Sequence, residues 1–295
     1  MRKLLQSTAA FAVIAGPAIG PAMAADLAAR PVLRTPVPIA SWTGLYVGID
    51  SGGSIGVSSS TDSAQFTTPN VGASSGGATP LFNDSFRHAP TGWIVGGQLG
   101  YNYQISSLVL GIEADWQWSG QKDTANTGCS SGSTPSFFML GGSLFGQCLA
   151  NEQKLTNFGT ARARGGVLVD DSLWYVTGGA AWATVKESYA LATSCSPCAA
   201  AAQPGAILPT AAAFSHTKGG WTVGGGVETR LGGSGWSAKL EYLYVDLGTV
   251  TDGFGLAANP SFFAPAIAAA SSGSVAVSSH VTDHVVRVGL NYRIF

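Results

Sequence analysis

The residues of this chain with chemistry to offer are four cysteines, four histidines and a phased set of acids and bases. Cys195-Ser196-Pro197-Cys198 has the C-x-x-C spacing of a dithiol redox centre, but that reading needs a strand-to-helix context. The flanks Leu191–Ser194 and Ala199–Ala202 read instead as surface loop. With Cys129 and Cys148 the pair could also build a four-thiolate zinc site across two loops. For an exported chain the default is disulfides. Four cysteines leave three connectivities open. The local one, Cys129 with Cys148 and Cys195 with Cys198, is favoured because the ends meet at small entropic cost.

The histidines, His88, His216, His280 and His284, fall in loops or at loop bases. A serine hydrolase built on a lipid-facing His284 or His216 would need an orienting acid, and spacing alone places none. No H-E-x-x-H occurs. Gly96-Gly97-Gln98-Leu99-Gly100 and Gly224-Gly225-Gly226 open no helix, so neither reads as a phosphate loop. No catalytic residue, metal ligand or cofactor is assigned, and the chain is read as a non-enzyme.

The charges are more telling once the elements that carry them are drawn. Eight short amphipathic segments run along the chain: Trp42–Gly56, Thr91–Gln104, Leu108–Trp118, Leu155–Leu168, Leu173–Val185, Thr217–Leu231, Trp236–Gly248 and Asp283–Phe295. Long and short connections alternate between them. The long ones cover 57–90, 119–154, 188–216 and 249–282; the short ones lie around Ile105–Ser107, Asp170-Asp171 and Gly232–Gly235. Strict alternation, as in Leu108, Leu110, Ile112, Ala114, Trp116 and Trp118 against Val109, Gly111, Glu113, Asp115 and Gln117, gives each strand one apolar and one polar face. The inward faces collect Asp50, Glu113, Asp115, Glu228 and Glu241 against Arg162, Arg164, Arg230, Lys239, Arg287 and Arg293. Five acids facing six bases is the composition of a self-neutralising interior. The outward faces carry no charge in their central parts, where a Lys or Arg would cost about 2–4 kcal/mol in lipid. Outward Trp and Tyr fall near the two ends of the segments, as two interfacial girdles. Only segment Leu173–Val185 is ambiguous in phase, because Gly178–Ala181 is small on both faces.

Composition agrees with a membrane-embedded sheet. Charged residues are 11% of the chain against about 25% in soluble domains. Glycine contributes 40 residues. Apart from the N-terminus, no stretch approaches the 18 apolar residues of a membrane helix. A closed barrel is the other spanning solution. The first 24 residues read as a signal peptide, with Arg2 and Lys3, an apolar Leu4–Ile19 and the Ala22-Met23-Ala24 cleavage site. Residues 25–41, with Pro31, Pro36 and Pro38, read as a periplasmic linker. The mature chain would keep 13 bases against 16 acids. It has no basic tract, which excludes a nucleic-acid partner.

The expected fold is therefore all-β: an eight-stranded antiparallel up-and-down transmembrane β-barrel over 42–295. It has four long extracellular loops and three short periplasmic turns.

Trp42-Thr43-Gly44-Leu45-Tyr46-Val47-Gly48, Thr160–Gly166, Trp221–Glu228, Lys239–Gly248 and Val286–Arg293 carry a resemblance. These strands resemble those of the porin-family outer-membrane immunogenic proteins of alphaproteobacteria, small OmpA-like barrels. The resemblance covers the strands from Trp42 to Phe295 and not the loops. It implies the outer membrane as destination, its lipid as surroundings, and periplasmic chaperones and the barrel-assembly machinery as partners. That machinery reads an aromatic C-terminus in outward phase; here Tyr292 and Ile294 are in phase and Phe295 is one residue off. The expected role is a monomeric, surface-exposed structural protein of the envelope. A narrow porin is the alternative reading and a lipid-modifying enzyme the third.

Overall fold

The computed structural model describes residues 41–70, 77–127, 148–192, 208, 210–258, 260 and 265–294. Nine strands make one antiparallel sheet: β1 Gly44–Thr68, β2 Gly77–His88, β3 Thr91–Ile105, β4 Leu108–Thr127, β5 Cys148–Val169, β6 Ser172–Ala192, β7 Thr210–Arg230, β8 Trp236–Ala257 and β9 Ser272–Arg293. A single helical turn and a half, α1 Pro265–Ala270, precedes β9. The sheet order is β2-β1-β3-β4-β5-β6-β7-β8-β9, and β1 also pairs with β9 from Tyr46↔Arg293 to Thr67↔Ser272. β1 and β3–β9 thus close a ring of eight strands, which satisfies the backbone of its membrane part without water.

β2 is the departure from the expected count. It pairs with the outer half of β1 (Ser58↔His88 to Thr68↔Gly77), whereas β3 pairs with the inner half (Gly44↔Asn102 to Ile55↔Thr91). β2 and β3 therefore follow one line of the wall, broken at Ala89-Pro90. Pro90 has no N–H to give the ladder. Its carbonyl still accepts from Gly56 N at 2.8 Å, and Ala89 N donates to Asp123 Oδ2 at 2.8 Å.

The expectation of short strands and long loops is corrected in the same way. The stretches 57–90, 119–154, 188–216 and 249–282 are largely strand. β5, β8 and β9 each have 22 residues, against the 9–11 a bilayer needs. About half of each strand stands outside the membrane.

The outward side chains mark the boundary. On β6 they run Trp174, Val176, Gly178, Ala180, Trp182 and then Thr184, Lys186, Ser188. Trp174 to Trp182 is about 26 Å of strand, or about 20 Å of membrane at the usual barrel tilt. The ambiguous fifth segment is settled by this phase: Leu173, Tyr175, Thr177 and Ala181 are inside. Ile112 and Val176, 67% and 69% exposed, face the hydrocarbon. Register shifts at Trp118/Gln121, Leu155/Asn157 and Asp246/Thr249 lie at the outer aromatic girdle. Such bulges sharpen the twist of the wall where it leaves the lipid.

At the other end the turns are tight. Ile105↔Leu108 and Val169↔Ser172 close two-residue loops with positive φ at Ser106 (57°) and Asp170 (54°). The third turn uses Gly232 and Gly235, at φ 65° and 76°, for the same purpose.

Candidate functional site

The lumen is filled in layers, and the register writes the charged one. Glu113 lies opposite Arg162 and Asp115 opposite Thr160 across β4–β5; Glu241 lies opposite Arg287 across β8–β9; Glu228 lies opposite Lys239 across β7–β8. Because cross-strand neighbours sit about 5 Å apart, Glu113–Arg162, Asp115–Thr160 and Glu241–Arg287 meet as soon as the strands zip, whereas Glu228 and Lys239 turn to other partners. Arg162 then reaches across the lumen: Nη1 lies 3.1 Å from Glu241 Oε1, and Nη2 lies 3.0 Å from Asp115 Oδ2 and against Glu113 Oε1. Arg287 completes the ring, with Nη2 at 2.6 Å from Glu241 Oε2 and 3.1 Å from Asp115 Oδ2, and Nη1 at 3.5 Å from Asp50 Oδ2. Lys239 Nζ sits 3.2 Å from Glu113 and 3.5 Å from Glu241 and donates to Gln98 Oε1.

Two tyrosines wall this layer. Tyr46 OH donates to Glu113 Oε2 at 2.6 Å and Tyr175 OH to Glu241 Oε1 at 3.0 Å. The Arg164 guanidinium lies 5.3 Å and 4.5 Å from their ring centres, within cation–π range. It pairs with Glu228 at 2.7 Å, and Ser237 and Asn291 satisfy the same carboxylate at 2.5 and 2.7 Å. Gly100 makes room for the Tyr46 ring, because a Cβ there would overlap it.

Nine of the eleven expected lumen charges thus share one buried layer: Asp50, Glu113, Asp115, Glu228 and Glu241 with Arg162, Arg164, Lys239 and Arg287. Arg230 and Arg293 are corrected out of it. They lie at the inner mouth, and among the described residues neither makes an ion pair. The layer is close to neutral, with four cations among five carboxylates and each carboxylate beside a cation.

Above it, nearer the outer girdle, comes an apolar layer that includes Ile94, Phe158, Val185, Leu243, Val245 and Val285. Beyond the girdle a second polar layer follows. Glu187 accepts from Gln153 at 2.8 Å and from Tyr189 at 2.9 Å; Tyr189 also donates to Asp252, whose Oδ1 lies 2.6 Å from His216 Nε2. Burial, and then the hydrogen-bonded Asp252 carboxylate, push the Glu187 carboxyl up to about 7. Nearby, His88 Nδ1 lies 3.2 Å from Asp123 Oδ2, and burial holds its imidazole below the usual range despite that partner. A second apolar group, with Phe66, Leu149, Leu191, Leu256 and Val277, caps the outer end.

His216 was expected to face lipid if it acted on lipid; it points inward to Asp252 instead. His284 is on the outer face, 2.8 Å from Tyr242 OH. The outer polar layer is not legible in the sequence because most of its residues lie in stretches that read as loops, although Glu187 and Tyr189 continue the inward phase of Leu173 and Tyr175. Cys129, Cys195 and Cys198 lie outside the described residues, as do the signal and linker residues 1–40; of Cys148 only the backbone, at the start of β5, is described.

A closed ring of strands with an apolar, girdled exterior and a packed polar lumen defines a membrane-spanning β-barrel. The family profile of the outer membrane protein beta-barrel domain matches residues 10–293. The 31 kDa outer-membrane immunogenic proteins of Brucella melitensis biotype 1 and Brucella suis biovar 1 are each 32% identical over 279 residues, covering 92% of this chain and 93% of theirs. The chain belongs to this outer-membrane β-barrel family, and its place is the outer membrane. Among solved structures it is similar to the outer membrane protease OmpT of Escherichia coli, with TM-score 0.43 and 11% identity over 85% of this chain and 97% of that one.

Proposed function

We propose that the protein is a sealed structural barrel that presents the outer halves of its strands and their connections at the cell surface, and that it carries out no catalysis. The observation that carries this reading is the lumen cross-section. Arg162, Arg287 and Lys239 have fully buried side chains, locked among Glu113, Asp115 and Glu241, with an apolar layer stacked on top. Eight strands enclose an interior just wide enough for side chains to fill. A solute would have to break several charge-assisted bonds to pass. The immunogenic relatives support surface presentation of the outer extension.

Planar-bilayer recording on the refolded protein tests this. The expected trace is flat, or shows only rare brief openings. A steady, ion-selective conductance would replace this reading with the narrow porin. Turnover of a phospholipid substrate, lost on changing His284, would replace it with the lipid-modifying enzyme.

A further inference from the structure

We infer that the inner mouth of the barrel is a binding site for a phosphate-bearing anion, held by Arg230 and Arg293. This goes beyond the structural role and is independent of whether the lumen conducts. The mouth forms a small, partly open cavity of about 50 Å³ whose wall includes Trp42, Asn102, Arg230, Ser237, Asn291 and Arg293. Arg230 ends β7 and packs its guanidinium on the Trp42 ring, 4.6 Å from the centroid. Its Nη2 is buried without a hydrogen-bond partner, a rare condition for a charged donor. Arg293, two residues beyond Asn291 on β9, spends one Nη1 bond on the Ser41 carbonyl and is close enough for its charge to act on Arg230.

The nearby carboxylates of Asp171 and Glu228 act on Arg230 without forming an ion pair with it. Glu228 lines the same cavity, but Arg164, Ser237 and Asn291 already engage it. Among the described residues neither Arg230 nor Arg293 has an ion-pair partner, unlike the four bases of the buried layer. Two guanidinia without ion-pair partners in one concavity raise the local anion concentration, and their forks match the oxygens of a phosphate. Stacking on Trp42 fixes one fork in advance, so little freedom is lost on binding. The turn that overhangs the cavity is itself pinned, by Leu231 N to Trp236 O at 2.9 Å and Arg293 N to Gly235 O at 3.0 Å. Asn102 Oδ1 is buried without a donor, which suits a ligand whose phosphate neighbours a hydroxyl or amine.

The same chemistry could arrive on an inner-leaflet phospholipid headgroup or as a free phosphate. The mature protein, refolded in an uncharged maltoside detergent, is titrated with inorganic phosphate and followed by ³¹P line broadening. In parallel, phosphatidylcholine nanodiscs with and without phosphatidylglycerol are used, and retained lipids are counted by native mass spectrometry. Saturable phosphate binding assigns the site to a free anion. Selective retention of phosphatidylglycerol without it assigns the site to a headgroup. In either case Arg230→Ala and Arg293→Ala should each weaken binding about tenfold or more. Arg230→Lys, which keeps the charge and removes the fork, should fall between. Lys218→Ala, in the middle of β7 and away from the mouth, should change nothing. Heat-modifiable gel mobility reports that each variant has folded. Absence of both forms of binding in the wild type, or binding that survives the Arg230→Ala/Arg293→Ala double variant, overturns the inference.

Discussion

Arg287 is the side chain whose removal should tell most about the lumen. Its side chain is fully buried, and it reaches Asp50, Glu113, Asp115 and Glu241. Asp50 has no other cation within ion-pair distance among the described residues. Four bases face five acids in this layer, so Arg287→Ala raises the imbalance from one negative charge to two and strands Asp50 outright. Breaking a buried pair from one side costs about 3–5 kcal/mol where water cannot enter. That is the expected loss, an upper value if the cavity left by the side chain admits water. The assay is reversible guanidinium unfolding in lipid vesicles, followed by tryptophan fluorescence, with gel heat-modifiability as a check on folding. Asp50→Asn in the Arg287→Ala background should recover part of the loss, which a double-mutant cycle measures as coupling. Arg293→Ala, the same residue type at the open mouth, should cost less than about 1 kcal/mol. A loss below 1 kcal/mol for Arg287→Ala, with conductance unchanged, would mean that the layer is hydrated and that its ion pairs do not hold the barrel.

Other outcomes follow from depth and phase. Val176→Arg on the lipid face should destabilise by about 2–4 kcal/mol, while Ser188→Arg, on the same face of β6 beyond the girdle, should be nearly neutral; equal effects would move the membrane boundary. Gly100→Val should force the Tyr46 ring off Glu113 and cost about 1–3 kcal/mol by overpacking, measured as a lower guanidinium midpoint, whereas Tyr46→Phe should cost only its hydrogen bonds. Glu187 has a folded pKa raised to about 7, so between pH 4.5 and 7 the folded state binds the extra proton and stability falls as pH rises through that window. Glu187→Gln should therefore raise the midpoint at pH 8, by at most on the order of 3 kcal/mol, and leave pH 4 unchanged. His88 acts in the opposite sense: its folded pKa is lowered, so its contribution is present above its ordinary value of about 6.5 and is lost as pH falls through the folded value. Hydrogen exchange at the β1–β2 hairpin should accelerate on acidification in the wild type and not in His88→Gln.

The sequence by itself determined the membrane-embedded half of this protein. In hydrocarbon an outward charge is prohibitive, so outward positions such as Leu108, Leu110 and Ile112 had to alternate with Glu113 and Asp115, and that contrast is visible residue by residue. Phase alone placed Arg162, Arg287 and Glu241 on the inner face, and loop-length alternation gave the up-and-down order. Above the girdle the contrast disappears. On β1, Val57, Ser59, Thr61 and Ser63 meet water while Ser58, Ser60 and Asp62 point inward, and polar residues on both faces leave no period to read. Continuation of the strands there is decided by pairing with neighbours already in register, a cooperative property of the closed sheet. The split of one wall line into β2 and β3 depends likewise on where Pro90 falls against Gly56. Tertiary structure alone also separated Arg230 and Arg293 from Arg162 and Arg287. All four share an inward phase, but phase fixes only the direction of a side chain. Whether its charge is neutralised depends on depth along the barrel axis and on which strands bring a carboxylate to the same level.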